Sequence, residues 1–233
     1  MTKGSPPPAA QDQRAPAQDQ RAPARPRNRR GEGPRLREEI VEAATALIVR
    51  TGSDQAVTLR SVAREIGIAA PSIYTHFPSR DAIVQAVVEE ALTQLHESIT
   101  AAVIAYDDPV EGLLAGCAAY VDFGTSEPAR YRVLFGTPPS KPAPSTPGSA
   151  DLSGLQAFQT LVDNLHACVE VGSSASTDPF ADAVALWTAL HGQVSLRAAL
   201  PAFPWPPTDT VEQMVLRLAR ITKRRGPCRT PSP

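Results

Sequence analysis

The amino-acid sequence predicts an all-α protein of about nine helices, a small N-terminal helical unit followed by a larger helical body. Three observations carry this. Apolar residues recur three and four apart along most of the chain from residue 35, the spacing that puts them on one helix face. Period-two alternation of β-branched residues, the mark of a half-buried strand, is absent. The 24 prolines fall between the periodic segments or in their first turns, where a missing N–H costs little.

Residues 1–34 contain the heptad Gln-Asp-Gln-Arg-Ala-Pro-Ala twice in tandem, at 11–17 and 18–24. With no apolar anchor to offset ordering entropy, this arm is expected to be disordered. It ends in a basic knot of Arg25, Arg27, Arg29 and Arg30. A first helix over 35–51 follows from Leu36, Ile40, Ala43, Ala44 and Leu47, with Gly52 as its C-terminal stop. Thr58 caps a second helix, Leu59–Ile66, closed by Gly67. A third short helix covers Ala70–Thr75, and Pro78 ends that segment. Ser79 caps a long helix whose stripe runs Ile83, Val84, Val87, Val88, Ala91, Leu92, Leu95 and Ile99, with Asp81 suited to the dipole of its first turn.

Further helices are predicted over 110–125, 128–135, 151–170, 179–199 and 208–224. Residues 136–150 hold five prolines and two glycines and read as a mobile loop. Pro201, Pro204, Pro206 and Pro207 force the break before the last helix. The expected organisation is therefore an arm (1–34), an N-terminal domain (35–95), a C-terminal domain (96–225) and a disordered tail (226–233).

Composition excludes several classes. No run approaches the ~18 apolar residues of a spanning helix, and the polar N-terminus lacks the apolar core of a secretory signal. Cys117, Cys168 and Cys228 are too few and too scattered for a disulfide framework or a zinc site, and they suit a reducing, cytoplasmic setting. No His-Glu-x-x-His, Cys-x-x-Cys, phosphate loop or Gly-x-Ser-x-Gly occurs, so neither an enzyme, a metal nor a cofactor is expected. Cys117 and Cys168 lie in apolar helical contexts and read as inert core thiols. The net charge of −1 hides an uneven distribution. Residues 1–80 carry 13 Lys/Arg against 8 Asp/Glu, residues 81–216 carry 4 against 16, and residues 217–233 carry 6 against none. A basic front on an acidic body suits a polyanionic partner. A basic tail on an ordinary acidic domain reads the same way.

Residues 58–77 carry the most information. Two short helices around a glycine turn make a helix-turn-helix. Val62, Ala63, Ile66 and Ile73 face the first helix, and Phe77 joins the core. Ala70, Pro71, Ser72, Tyr74, Thr75 and His76 remain outward, with no acidic group among them to repel phosphate. The run from Thr58 to Asp81 resembles the tetracycline-repressor (TetR) family of bacterial regulators. The resemblance lies in Thr58-Leu59-Arg60-Ser61-Val62-Ala63, in Gly67-Ile68, in Ile73-Tyr74-Thr75-His76-Phe77 and in Pro78-Ser79-Arg80-Asp81. It implies that Tyr74, His76 and Arg80 contact phosphates, which position without reading sequence. It also implies that Arg60, Ser72 and Thr75 reach base edges, that Ala69, Ala70 and Pro71 offer apolar contact, and that Thr58 lies at the interface. Ala69 departs from the family, which usually has a capping residue there; Arg80 stands where the family more often has Lys.

In the C-terminal body, Ala185-Leu186-Trp187-Thr188-Ala189-Leu190-His191-Gly192 resembles a subclass of TetR C-terminal domains named for a Trp-His-Gly (WHG) signature. Tyr120-Val121-Asp122-Phe123, Tyr131-Arg132-Val133-Leu134-Phe135 and Phe203-Pro204-Trp205-Pro206 resemble it too. This implies a ligand-binding and dimerising body, with Tyr120, Phe123, Phe158, His166, Trp187 and His191 as candidate effector contacts and plain core packing as the competing role for each. The function implied is a transcriptional regulator: a homodimer through its last two helices, bound to a palindromic double-stranded DNA operator in the cytoplasm and nucleoid, and a repressor released by a small-molecule effector. Activation, dual control, or non-specific nucleoid-type binding through the basic arm and tail are the alternatives.

Overall fold

The structure is a computed structural model that describes residues 33–135, 150–206 and 209–223. Residues 1–32 of the predicted arm, most of the predicted loop, Pro207, the C-terminal tail and Cys228 lie outside the described residues. Among those described there are eight α-helices, two 3-10 helices and no strand.

Helix α1 (Gly33–Thr51) starts two residues before the predicted position, with Pro34 in its first turn. It buries Leu36, Ile40, Val41, Ala44, Leu47 and Ile48. A 3-10 turn, Asp54–Ala56, was not anticipated; Ser53 caps it and it delivers Val57 fully into the core. Helix α2 (Leu59–Glu65) opens on a reciprocal cap: the Thr58 hydroxyl accepts from the Ser61 amide at 3.0 Å, and the Ser61 hydroxyl accepts from the Thr58 amide at 2.8 Å. It ends one residue before the predicted Ile66. Gly67 follows with φ +70°, a conformation costly for any residue with a Cβ; the Ile68 amide bonds back to the Ala63 carbonyl at 2.9 Å.

After the segment Ala70–Thr75, helix α3 (Arg80–Ile104) is capped by Ser79. Helix α4 (Pro109–Ser126) is capped by Asp108, which accepts from Val110 at 2.8 Å. Then come α5 (Pro128–Phe135), α6 (Ala150–Glu170), α7 (Pro179–Ala199) and α8 (Asp209–Leu218).

Two apolar cores result. One joins α1, α2, the segment Ala70–Thr75, called the reader for its place as the second element of the helix-turn-helix, and the start of α3. The other joins the rest of α3 with α4, α5, α6, α7 and α8. The switch occurs inside α3, between Val87 and Leu95, so one uninterrupted helix serves both cores.

The last helix is shorter than predicted. Instead of continuing to residue 224, α8 stops at Leu218 and Arg220 takes φ +51°. The freed backbone pairs with the α6–α7 loop: Ala175 N–H donates to Arg220 O at 3.0 Å and Thr222 N–H to Ser173 O at 2.9 Å. The Ser174 hydroxyl donates to Ala219 O at 2.7 Å, and the Arg220 guanidinium meets Asp182 at 3.1 Å. Ser174 and Ile221 form an isolated antiparallel bridge. Ala219-Arg220-Ile221 is locally helix-compatible; tertiary hydrogen bonds to a buried serine loop override that preference.

Candidate nucleic-acid interface and cavity

The segment Ala70–Thr75 is a 3-10 helix rather than the α-helix expected. Its amides bond three residues back, Ser72 to Ala69 and His76 to Ile73, both at 2.9 Å. The cause is local. Ala69 supplies no side-chain cap, Pro71 occupies the first turn, and the Thr75 hydroxyl bonds the Ser72 carbonyl at 2.8 Å. With three residues per turn, side chains stack in rows of i and i+3. The inner row is Ala70, Ile73 and His76: Ile73 is fully buried and its neighbours are half-buried. The two outer rows, Pro71 with Tyr74 and Ser72 with Thr75, are exposed, Tyr74 at 61%.

The predicted site therefore divides. Pro71, Ser72, Tyr74 and Thr75 form an outer surface that no described residue covers, flanked by exposed Ala69 and by Arg60 on α2. Ala70 packs partly against the N-terminal core instead of facing outward. Thr58 is exposed, but its hydroxyl is engaged as the α2 cap.

Arg80 is committed still more. Its Nε donates to the Val57 carbonyl at 3.1 Å, one terminal nitrogen to the Asp54 carbonyl at 2.8 Å and carboxylate at 2.7 Å, and the other to Asp81 at 3.0 Å. Four of the five guanidinium donors are thereby used within the chain. Burial opposes its charge, and the Asp54 and Asp81 carboxylates outweigh burial, raising its pKa. The geometry makes Arg80 a clamp between the Asp54–Val57 turn and the start of α3. Arg80→Gln is expected to lower N-terminal stability by about 1 kcal/mol while leaving the salt dependence of DNA binding unchanged. A log K against log salt slope reduced by ~0.9, the signature of one lost phosphate contact, would instead identify Arg80 as a backbone contact.

In the C-terminal core, α3, α4, α6 and α7 enclose a cavity of about 670 Å³, with Phe135 of α5 at its wall. Of the six candidate contacts, Tyr120, Phe158 and Trp187 line it. Phe123 packs against the core elsewhere, and His166 is exposed on the far side of α6. His191 does not line the cavity either. Its Nδ1 lies 2.7 Å from the Tyr131 hydroxyl, which lies 2.8 Å from the hydroxyl of Tyr120. A polar chain thus runs from the cavity wall through α5 to α7.

Burial lowers the pKa of His191 from 6.5, so the unfolded chain takes up the proton first as pH falls. Its contribution to stability is full above about pH 6.5 and is lost as pH drops towards the lower folded value. Denaturant titrations from pH 7.5 to 5 are expected to show a shallower loss for His191→Gln than for the parent chain; parallel curves would refute this. Burial also pushes the Cys117 and Cys168 thiols up to about 12, in keeping with inert core cysteines.

Comparison with known proteins agrees with this architecture. Residues 40–87 match the bacterial regulatory proteins of the tetR family, and residues 113–220 match the tetracyclin repressor-like C-terminal domain. The uncharacterized HTH-type transcriptional regulator Rv0681 of Mycobacterium tuberculosis is 31% identical over 194 residues, 81% of this chain and 82% of that protein. The chain belongs to the TetR family.

Within that family, the tetracycline repressor protein class D of Escherichia coli is 36% identical over 61 residues, 26% of this chain and 28% of its own. The solved structure of the TetR family transcriptional regulator PfmR from Thermus thermophilus shares the fold, with a TM-score of 0.56 at 19% identity over 79% of this chain and 99% of that one. This TetR-family chain is thus a DNA-binding transcriptional regulator, in a family of regulators and not of enzymes. No helix among the described residues is long and apolar enough to cross a membrane.

Three residues escaped the sequence reading of this TetR-family protein. Arg37 places its guanidinium 4.9 Å from the centre of the Phe77 ring, close to the end of the reader segment. In the sequence it belongs to the polar face of the first helix, with nothing to single it out. Arg64 is exposed one turn after Arg60 on α2, a spacing that could have paired them. Asn164, 8% exposed, is a polar group in the cavity wall. Its position on a helix carries no signal in the sequence.

Proposed function

We propose that this TetR-family regulator is a repressor that binds a palindromic operator as a homodimer and is released by a small-molecule effector in the cavity. The observation that carries the reading is the placement of α5. Its Phe135 stands at the cavity wall, and its Tyr131 is bonded to cavity-lining Tyr120. On the other side, Val133 packs against the N-terminal core and the Arg132 guanidinium lies beside Gly52 at the end of α1. A ligand that displaces the cavity wall therefore displaces a helix packed against the DNA-binding unit. A ligand acts only through its different affinity for the two arrangements, and two readers must sit roughly 34–36 Å apart to serve one palindrome.

Dimerisation through α7 and α8 is supported by exposed Leu196, Leu200 and Phe203 at the end of α7 and just beyond. Such a patch is costly to leave in water. The contacts proposed for DNA are Arg60, Ala69, Pro71, Ser72, Tyr74 and Thr75 in the open, with Ala70, His76, Thr58 and Arg80 contributing mainly through support. Trp187 at the cavity and His191 on Tyr131 fit the Trp-His-Gly subclass reading. A protein of this kind works on the chromosome in the cytoplasm.

The test is selection of sheared genomic DNA by the full-length protein at fixed moderate salt, followed by sequencing. A few peaks sharing an inverted repeat are expected, with a dimer mass by light scattering. A reporter behind one such site should rise when the protein is removed; a fall would mean activation. Diffuse enrichment without a motif would favour non-specific binding through the basic arm and tail.

A further inference from the structure

We infer that the cavity takes an uncharged, mainly apolar molecule carrying one hydroxyl, carbonyl or amide group that hydrogen-bonds Asn164. The inference deepens the effector reading and depends on it only for the consequence of binding, not for the chemistry of the ligand. A cavity of about 670 Å³ falls in the range that holds drug-sized ligands. Its described lining contains no Asp, Glu, Lys, Arg or His. An ionised ligand group would lose its hydration there and find no counter-charge among the described lining residues.

The polar groups in the wall differ in their availability. The Tyr120 hydroxyl is bonded to Tyr131 at 2.8 Å, and the Thr160 hydroxyl donates to the Gln156 carbonyl at 3.1 Å. The Cys117 thiol is buried and stays protonated, its pKa pushed up to about 12. Asn164 is more than nine-tenths buried, and its amide has no hydrogen bond from or to a described residue. Its amide lies open to the cavity rather than sealed in the core, and a ligand that supplies the partner takes the place of water there. Because an amide both donates and accepts, hydroxyl, carbonyl and carboxamide groups all satisfy it. The cavity reaches solvent beside exposed Leu155, Phe180 and Trp187, so a ligand can enter with its apolar part following the polar group inward.

The experiment uses the full chain at pH 7.5 with matched ten-carbon probes, decanamide, 1-decanol and decanoate, and with naphthalene as a purely apolar probe. Affinities are read by calorimetry, and site occupancy by Trp187 emission in Trp205→Phe. Decanamide and decanol are expected to bind about 100-fold more tightly than decanoate. Asn164→Leu is expected to weaken decanamide about tenfold while leaving naphthalene within about twofold. The head-group ranking in the parent chain stands whether or not the variant folds. Decanoate binding within tenfold of decanamide, equal losses for decanamide and naphthalene in Asn164→Leu, or no probe binding would each overturn the inference. Decanamide binding that leaves operator affinity unchanged would overturn effector release and still support the ligand class.

Discussion

Gly124→Ala is expected to cost about 2 kcal/mol of stability and to displace α5. A Cβ at this position would lie 2.5 and 2.9 Å from the two methyls of Val194 and 3.1 Å from the Tyr131 ring. The first two distances are well inside van der Waals contact, and the obstacle is a β-branched side chain, stiff at χ1, on a helix packed into the core. Relief requires α4 and α7 to part and Tyr131 to give way. Tyr131 is held by Tyr120 and His191 and rides on α5, so the strain reaches the element that contacts α1. Two readouts are expected: a lower denaturant midpoint, and an operator affinity altered without any change at the reader. Val194→Ala removes the clashing methyls, so the double variant should recover most of the stability that Gly124→Ala loses. Strictly additive losses in the two substitutions would show that the close approach is not the source of the effect.

Arg60→Ala should lower affinity for the selected operator by about 10–100-fold while changing non-specific binding little, the effect of losing one bidentate base contact. Arg60 is exposed on α2 beside the open face of the reader, and no carboxylate among the described residues pairs with it, unlike Arg50, which is held bidentately by Glu65 at 2.9 Å. The discriminating measurement is fluorescence anisotropy on operators with single base-pair changes over a range of salt. Relaxed discrimination at one position with an unchanged salt slope identifies a base contact. A uniform loss with the slope reduced by ~0.9 identifies a phosphate contact and would remove Arg60 from the sequence-reading set. Tyr74→Ala provides the contrast: an uncharged donor lost from the outer row weakens all sequences alike and leaves the slope unchanged.

Much of this protein is determined by local sequence. Apolar spacing defined α1, α3, α5 and α7 to within a residue or two at the ends read, because a helix needs only one continuous stripe and a cap. Ser79 and Gly67 did what their chemistry dictates. The run Thr58–Asp81 was enough to identify the family. Three features were decided only by tertiary structure. The 3-10 winding of the reader has local causes, but that its inner row turns Ala70 and His76 partly inward depends on how Ile73 enters the core. Arg80 became a clamp because a turn 26 residues earlier brings Asp54 to it. The last helix stopped at Leu218 because the buried Ser173–Ser176 loop, 45 residues away at Ser174 and Ala219, takes its backbone hydrogen bonds. The cavity is of the same kind: Tyr120, Asn164 and Trp187 lie on three helices and share a wall only when those helices pack. Periodicity and capping act over one or two turns and can be read along the chain. Hydrogen bonds and cavities between distant residues have no period, so only the folded chain reveals them.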